Sequence, residues 1–523
     1  MSTIQIDLKT QKYDRQLRLW AADGQKALED ANICLLNASP TGCEILKNLI
    51  LPGAGQVTVV DEAMVTKQDI QTNFFLDPES IGQPKAKSAV DLLQELNEDC
   101  VVTAVEKSYS KLIKEEPDFF DKFTMIIAIN LSQDDAVQLS ELCHSTEKSL
   151  LLVKSKGLVG MFRLQAPEHT VIETHPENAT DLRLSCPFQQ LKDYVETFNL
   201  EALDQTDHAH VPYIIVLLKY VDDWKREHNG QAPKTYAERK ELGQKIRADM
   251  RTPDEENFEE AIANLWRINA DTSISSEVRA IFEDPSCQTA HSNSPHFWVL
   301  ARAVRDFVEN EGGGQLPLSG KLPDMKSDTL NYIGLQKVYR EKALADLEAV
   351  TNRVKALTEG SEFDIPAQTI ESFCKNAASI KVIQYNTLKE SKLPQEKLMN
   401  WVKNEENFCY YLVYKAADKF DKSHQRLPTS QEDRELLKQQ TVAVLEDMGV
   451  TLAEAEEIVQ SDTMGKSILN YVRFGDLETP NIAALLGGLA SQEAIKLITH
   501  QYIPINNTCV FNGITSTSNV FEL

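Results

Sequence analysis

Apolar positions near the start of the chain come in short solid runs separated by helical spacing. Asn32–Leu36 (NICLL) and Gln56–Asp61 (QVTVVD) read as strands, and Thr41–Leu51 (TGCEILKNLIL) between them reads as a helix. Solid runs of this length suit strands buried on both faces, so the trio predicts a βαβ unit. A helix is expected at Lys85–Asn97, with strands near Val101–Val105 and Thr124–Ile129. Another helix and strand (Ser149–Val153) follow, then a sheet segment over Lys156–Leu164. Such alternation predicts a parallel, Rossmann-like α/β domain. From Glu173 to Arg473 strand runs become rare and helical periodicity dominates. The end returns to α/β character, with a helix at Ala483–Ile498 and strands at Thr508–Phe511 and Ser518–Leu523 around an Asn512-Gly513 turn. The pattern predicts one α/β domain, residues 1–172 and 474–523, interrupted by a large, mainly helical insertion, 173–473.

The helical stretch carries an internal echo. Lys219, Asp222, Trp224 and His228 recur in kind and spacing as Lys415, Asp418, Phe420 and His424, and Phe297–Gly312 holds a fainter copy with Arg302 and Phe307. Amphipathic helices resemble one another, but the first two copies favour a reused helical module.

At 523 residues the chain is long enough for two or three domains. Its net charge of −25 argues against nucleic acid as the main partner and suits solubility or basic partner surfaces. Apolar runs such as Tyr213–Leu218 fall short of a membrane span, and the first 16 residues lack the apolar stretch of a signal peptide. The nine cysteines form no Cys-x-x-Cys pair, which argues against a zinc ribbon. Reduced thiols in cytosol or nucleus fit them best.

The chemistry expected of the βαβ opening is damaged. Where a working phosphate loop reads GxGxxG, this chain reads Asn37, Ala38, Ser39, Pro40, Thr41, Gly42. The missing middle glycine matters because a Cβ keeps the backbone away from phosphate, and Pro40 removes an N–H from the cradle. A nucleotide scaffold with dismantled chemistry suggests a protein that assists an enzyme.

Several segments together resemble the ubiquitin-activating enzymes and their bacterial sulfur-carrier relatives, the ThiF/MoeB type of fold. They are YDRQLRLW (Tyr13–Trp20), GCEILKNL (Gly42–Leu49), IGQPKA (Ile81–Ala86), Pro323–Met325 and ALLGGLASQEAIKLIT (Ala484–Thr499). The resemblance implies adenylation of a ubiquitin-like protein with ATP and magnesium, followed by capture on a cysteine. Of the residues that chemistry needs, Gly42, Asp61 and Lys85 remain. The second acidic position is Ala63, the phosphate arginine falls on Thr72, and the magnesium aspartate falls on Ser132. No cysteine is followed by threonine, as the thioester cysteine is in active members; Cys186 precedes proline and Cys287 glutamine. Cys34, Cys143, Cys374 and Cys409 read as small buried hydrophobes. The chain itself is therefore expected to bind no cofactor and no metal, with ATP and magnesium held by a partner subunit.

Length and the degenerate site place the resemblance with the inactive, regulatory halves of the neddylation-activating heterodimers. It implies three partners: a catalytic activating subunit, the ubiquitin-like modifier and its conjugating enzyme, with cullin ligases downstream. It also implies that Arg15 reaches in trans into the partner's ATP site, with Tyr13 and Gln16 beside it; the plainer reading makes Arg15 and Arg18 a solvated helix face. Met325, Tyr332 and Tyr339 read either as a partner surface or as core of the insertion. Two rivals remain: a self-sufficient homodimeric adenylyltransferase, and a dinucleotide-dependent oxidoreductase with Asp61, 24 residues after Asn37, on the ribose. Three further features carry less. His208 and His210 read as helix-entry packing rather than metal ligands, Asp254–Glu260 as a solvated helix start, and Gly312–Gly314 as a plain loop.

Overall fold

The computed structural model describes residues 8–176, 180–359, 364–389 and 393–523. The chain divides into two compact units, Met1–His169 with Val382–Leu523, and Thr170–Lys381.

The first unit is built on an eight-stranded sheet. Its strands are β1 (Asn32–Leu36), β2 (Gln56–Val60), β3 (Val101–Val105), β4 (Met125–Ile129), β5 (Ser149–Lys156), β6 (Val159–Gln165), β7 (Thr508–Asn512) and β8 (Thr517–Phe521). They lie in the order β8-β7-β6-β5-β4-β1-β2-β3. From β3 to β5 the pairing is parallel, with Leu35 opposite Val59 on one side and Ile127 on the other; from β5 to β8 it is antiparallel. Because the order reverses between β1 and β4, a crevice forms beyond the carboxyl ends of those strands, where such sheets bind ligands.

Helices cover both faces, as the solid apolar runs require. On one face Ile33, Leu35, Val57 and Ile127 pack with α2 (Pro40–Ile50), α3 (Lys85–Gln94) and α7 (Pro480–Thr499); on the other, Cys34, Leu36, Ile126 and Ala128 pack with α4 (Gln133–Ser145). α7 is long and apolar enough by composition to cross a membrane, contrary to the reading of the apolar runs. Its buried face explains the composition: Leu486, Ala490, Ala494 and Leu497 belong to the sheet's own core. Gly487 lets α7 touch α2, since a Cβ there would stand 2.7 Å from that of Glu44.

The expected insertion boundary at 473 is corrected to 381. Helices α5 (Glu406–His424) and α6 (Asp462–Arg473) share an apolar cluster with Val159 of β6, Val510 of β7 and Phe521 of β8. They cover the antiparallel end of the sheet, so they belong to the α/β unit although their periodicity is purely helical.

The second unit is helical, with its core around the helices Tyr213–Glu227 and Thr329–Leu357. The internal echo is visible in side chains. Trp224 stacks on His228 at 3.9 Å between ring centroids, and in the first unit Phe420 stacks on His424 at 4.2 Å. In each pair the histidine Nδ1 bonds the carbonyl of the aromatic residue four positions earlier.

Candidate functional site

The crevice at the ends of β1 and β4 is where a nucleotide would lie in this fold. Asn37 leaves β1 with φ +75°, in the left-handed region that asparagine tolerates better than most side chains, and its side-chain amide donates to the carbonyl of Ile129 at 3.1 Å. Ser39 caps α2 by accepting from the N–H of Gly42, and Pro40 opens the helix. A Cβ on Gly42 would stand 3.0 Å from the Asn37 carbonyl oxygen and 3.1 Å from Ile129, so this glycine serves close packing of helix on sheet.

The helix N-terminus that would receive phosphate is occupied by the chain itself. Glu478, just ahead of α7, places Oε2 at 3.0 Å from the N–H of Thr41, 2.5 Å from Thr41 Oγ1 and 3.2 Å from Ser39 Oγ, all donating. Its Oε1 accepts from Asn130 Nδ2 at 2.7 Å. A carboxylate thus takes the place of an anion at the positive end of α2. Glu478 is buried, and burial pushes its carboxyl above the usual range against the pull of Thr41 and Ser39. The segment is held at Gly157, whose N–H donates to Leu477 O at 2.8 Å and whose carbonyl accepts from Thr479 Oγ1 at 2.6 Å. Gly157 has φ +58°, and any Cβ there would collide with Phe474 at 2.3 Å.

The remnants of nucleotide chemistry are likewise turned inward. Asp61 is buried, with Oδ2 accepting from the Ala38 N–H at 2.9 Å and Oδ1 from the Ala63 N–H at 2.8 Å, so it braces the altered loop. Lys85 pairs with Asp69 at 3.0 Å. Thr72 closes a single helical turn by hydrogen bonding to Asp69 O, and Ser132 caps α4 through the N–H of Asp135. A magnesium triphosphate does not suit this lining: its phosphate end meets Glu478, and the arginine and aspartate positions hold hydroxyls.

Arg15 stands elsewhere. It lies in the first turn of α1 (Asp14–Asp30), which is broken at Trp20–Ala21. The preceding Tyr13, expected at a partner surface, is 2% exposed, a correction: its hydroxyl donates to Asp99 at 2.9 Å and accepts from Asn97 at 3.0 Å. Lys12 joins the same Asp99 at 2.7 Å. Tyr13 is therefore the pin that fixes this turn, and Arg15 is displayed from it into solvent. Among the described residues no hydrogen bond or ion pair holds the Arg15 guanidinium, whereas Arg18 pairs with Asp14 at 2.9 Å. Gln16 is half-buried.

In the helical unit, Tyr339 takes the core alternative and not the partner surface: it is fully buried and donates to Leu182 O at 2.6 Å. Met325 and Tyr332 are half-buried. His208 bonds the buried Glu255 at 2.8 Å and stacks on Phe258, which fits helix-entry packing. Asp254–Glu260 is accordingly only partly solvated, since Glu255, Asn257 and Phe258 point into the core. Among the cysteines only Cys186 is exposed. Burial pushes the other thiols up, to about 12 at Cys43, Cys143 and Cys374 and about 11 at Cys100, Cys287, Cys409 and Cys509. Sequence reasoning missed Glu478, because nothing local marks a glutamate that folds back across more than 430 residues onto α2.

Comparison with known proteins agrees with this geometry. The ThiF family matches residues 13–523. The chain is 40% identical to the NEDD8-activating enzyme E1 regulatory subunit AXL of Arabidopsis thaliana, over 98% of this chain and 99% of that protein. It is 40% identical to the NEDD8-activating enzyme E1 regulatory subunit of Xenopus laevis, over 99% of each. With that of Drosophila melanogaster it shares 35% identity over 98% of each. The altered phosphate loop, the closed helix terminus and these full-length likenesses lead to one assignment: the chain belongs to the ThiF family and, within it, to the NEDD8-activating enzyme E1 regulatory subunits.

Proposed function

We propose that this chain is the non-catalytic half of a heterodimer in which a catalytic subunit holds ATP and magnesium, adenylates the C-terminus of NEDD8 and captures it as a thioester. The observation that carries this reading is the Glu478 carboxyl group at the N-terminus of α2, which fills with the chain's own acceptor the place where a phosphate would be received. Arg15 contributes in trans. An exposed guanidinium on a pinned turn can stabilise charge on the transferring group of a neighbouring subunit, and so ties activity to assembly. The helical unit Thr170–Lys381 contributes to the domain around the partner's cysteine and helps position the modifier and the conjugating enzyme. The thioester product passes to that enzyme and then to cullin ligases, in cytosol or nucleus.

Calorimetric titration of the isolated chain with ATP and magnesium tests the closed site. No heat of binding up to millimolar ATP is expected. Saturable micromolar binding would contradict it.

A further inference from the structure

Glu478 closes the phosphate end and also lines a cavity beside it. This cavity in the α/β unit measures about 690 Å³, a size that holds a small organic molecule. Asn37, Lys85 and Ser132 line it, together with Tyr414 and Asp418 of α5 and Tyr471 of α6.

Inside it sits Lys156, the last residue of β5. Its side chain is 8% exposed, and its Nζ has no hydrogen-bond partner among the described residues. The ammonium lies 4.9 Å from the centroid of the Tyr471 ring, a cation–π contact that leaves its hydrogen bonds unmade. The other cations of the cavity are committed: Lys85 to Asp69, Lys154 to Asp418, and Arg426 to Asp433 through two nitrogens. Burial pulls the Lys156 amine down to about 8, with Asp476, Asp418 and Asp421 working in the opposite direction. A buried ammonium without a partner is unfavourable, and an anion placed on it relieves that cost.

The same lining limits what the anion can be. Asp69, Asp421, Asp476 and Glu478 also face the cavity, so a polyphosphate meets repulsion around a single unpaired cation. One compact charge matches one ammonium.

We propose that this cavity binds a small molecule carrying one compact, singly charged anionic group, a carboxylate or a monoanionic phosphate, which ion-pairs with Lys156. The site is distinct from Arg15 and requires nothing of the catalytic subunit.

The test uses the full chain with propionate and inorganic phosphate as probes. Saturation transfer from protein to propionate and broadening of the phosphorus resonance report binding directly. At least one probe is expected to respond, with the response falling fivefold or more in Lys156→Met and retained in the exposed control Lys192→Met. Which probe responds identifies the anion. Absence of response to both, or full response in Lys156→Met, would overturn the site. If Lys156→Met does not fold, acetic anhydride labelling of the wild-type chain decides: the responding probe must slow acetylation of Lys156 and not of Lys192. ATP that displaces the probe would keep this site while contradicting the closed phosphate cradle.

Discussion

Removing the Glu478 carboxylate should loosen α2 more than any other helix of the α/β unit. Glu478→Ala strips acceptors from four donors at once: Thr41 N–H, Thr41 Oγ1, Ser39 Oγ and Asn130 Nδ2. A buried donor left unpaired costs about 1–3 kcal/mol. Water entering from the adjoining cavity satisfies some of them, and loss of a desolvated carboxylate returns part of the cost. The balance is about 3 kcal/mol, or roughly a hundredfold in an opening equilibrium. Because the chain has two units, opening is read locally, by hydrogen exchange followed by mass spectrometry on peptides covering Pro40–Ile50. Protection there should fall about a hundredfold, with peptides of Thr329–Leu357 in the other unit unaffected. Protection within about twofold of wild type would refute the claim that Glu478 organises the helix terminus. The pH dependence adds a second check. Because burial raises the Glu478 pKa above its ordinary 4.5, the folded chain holds this proton more tightly than the unfolded chain. Its contribution is therefore complete below 4.5 and is lost as pH rises through the folded-state value. Glu478→Gln should remove that decline, so wild type should lose stability relative to the variant as pH rises.

Other outcomes follow from the same packing. Gly487→Ala pushes a Cβ against Glu44 and should cost about 1–3 kcal/mol by overpacking, whereas Gly488→Ala meets nothing within 4 Å and should gain about 0.5–1 kcal/mol of helix propensity, both read from hydrogen-exchange protection of peptides covering Pro480–Thr499. Tyr13→Phe breaks the link to Asp99 and Asn97 and should cost about 1–2 kcal/mol, read from hydrogen-exchange protection of peptides covering Asp14–Asp30. Iodoacetamide under native conditions should label Cys186 at least tenfold faster than any other cysteine by peptide mass spectrometry, since the rest are buried with raised thiols.

The βαβ opening, the returning C-terminal strands and the loss of the phosphate loop were legible because each is local: solid apolar runs, a turn dipeptide, and side chains where glycines belong. The spread of residues Val382–Arg473 over the sheet was not, because helical periodicity shows that a face is buried and not what buries it. Leu412 and Phe420 would have the same pattern against helices as against β7 and β8. Tyr13 misled, and Tyr339 stayed open between surface and core, for a related reason. An aromatic in a polar segment reads as a surface feature, but each hydroxyl finds an internal acceptor that lies far away in sequence. Glu255 sits in an acidic run that looks solvated until His208 is placed beside it. Glu478 and Lys156 are the extreme case, since their meaning comes wholly from the elements that surround them.

The central claim is that this chain acts through a partner, and ATP–pyrophosphate exchange with NEDD8 tests it most directly. The samples are this chain alone, a catalytic subunit alone, both together, and both with Arg15→Ala, whose exposed position should leave the fold within about 0.5 kcal/mol of wild type. Exchange should require both subunits and should fall at least tenfold with Arg15→Ala in a complex that still assembles. Exchange by this chain alone would contradict the closed site, and full exchange with Arg15→Ala would contradict the arginine acting in trans.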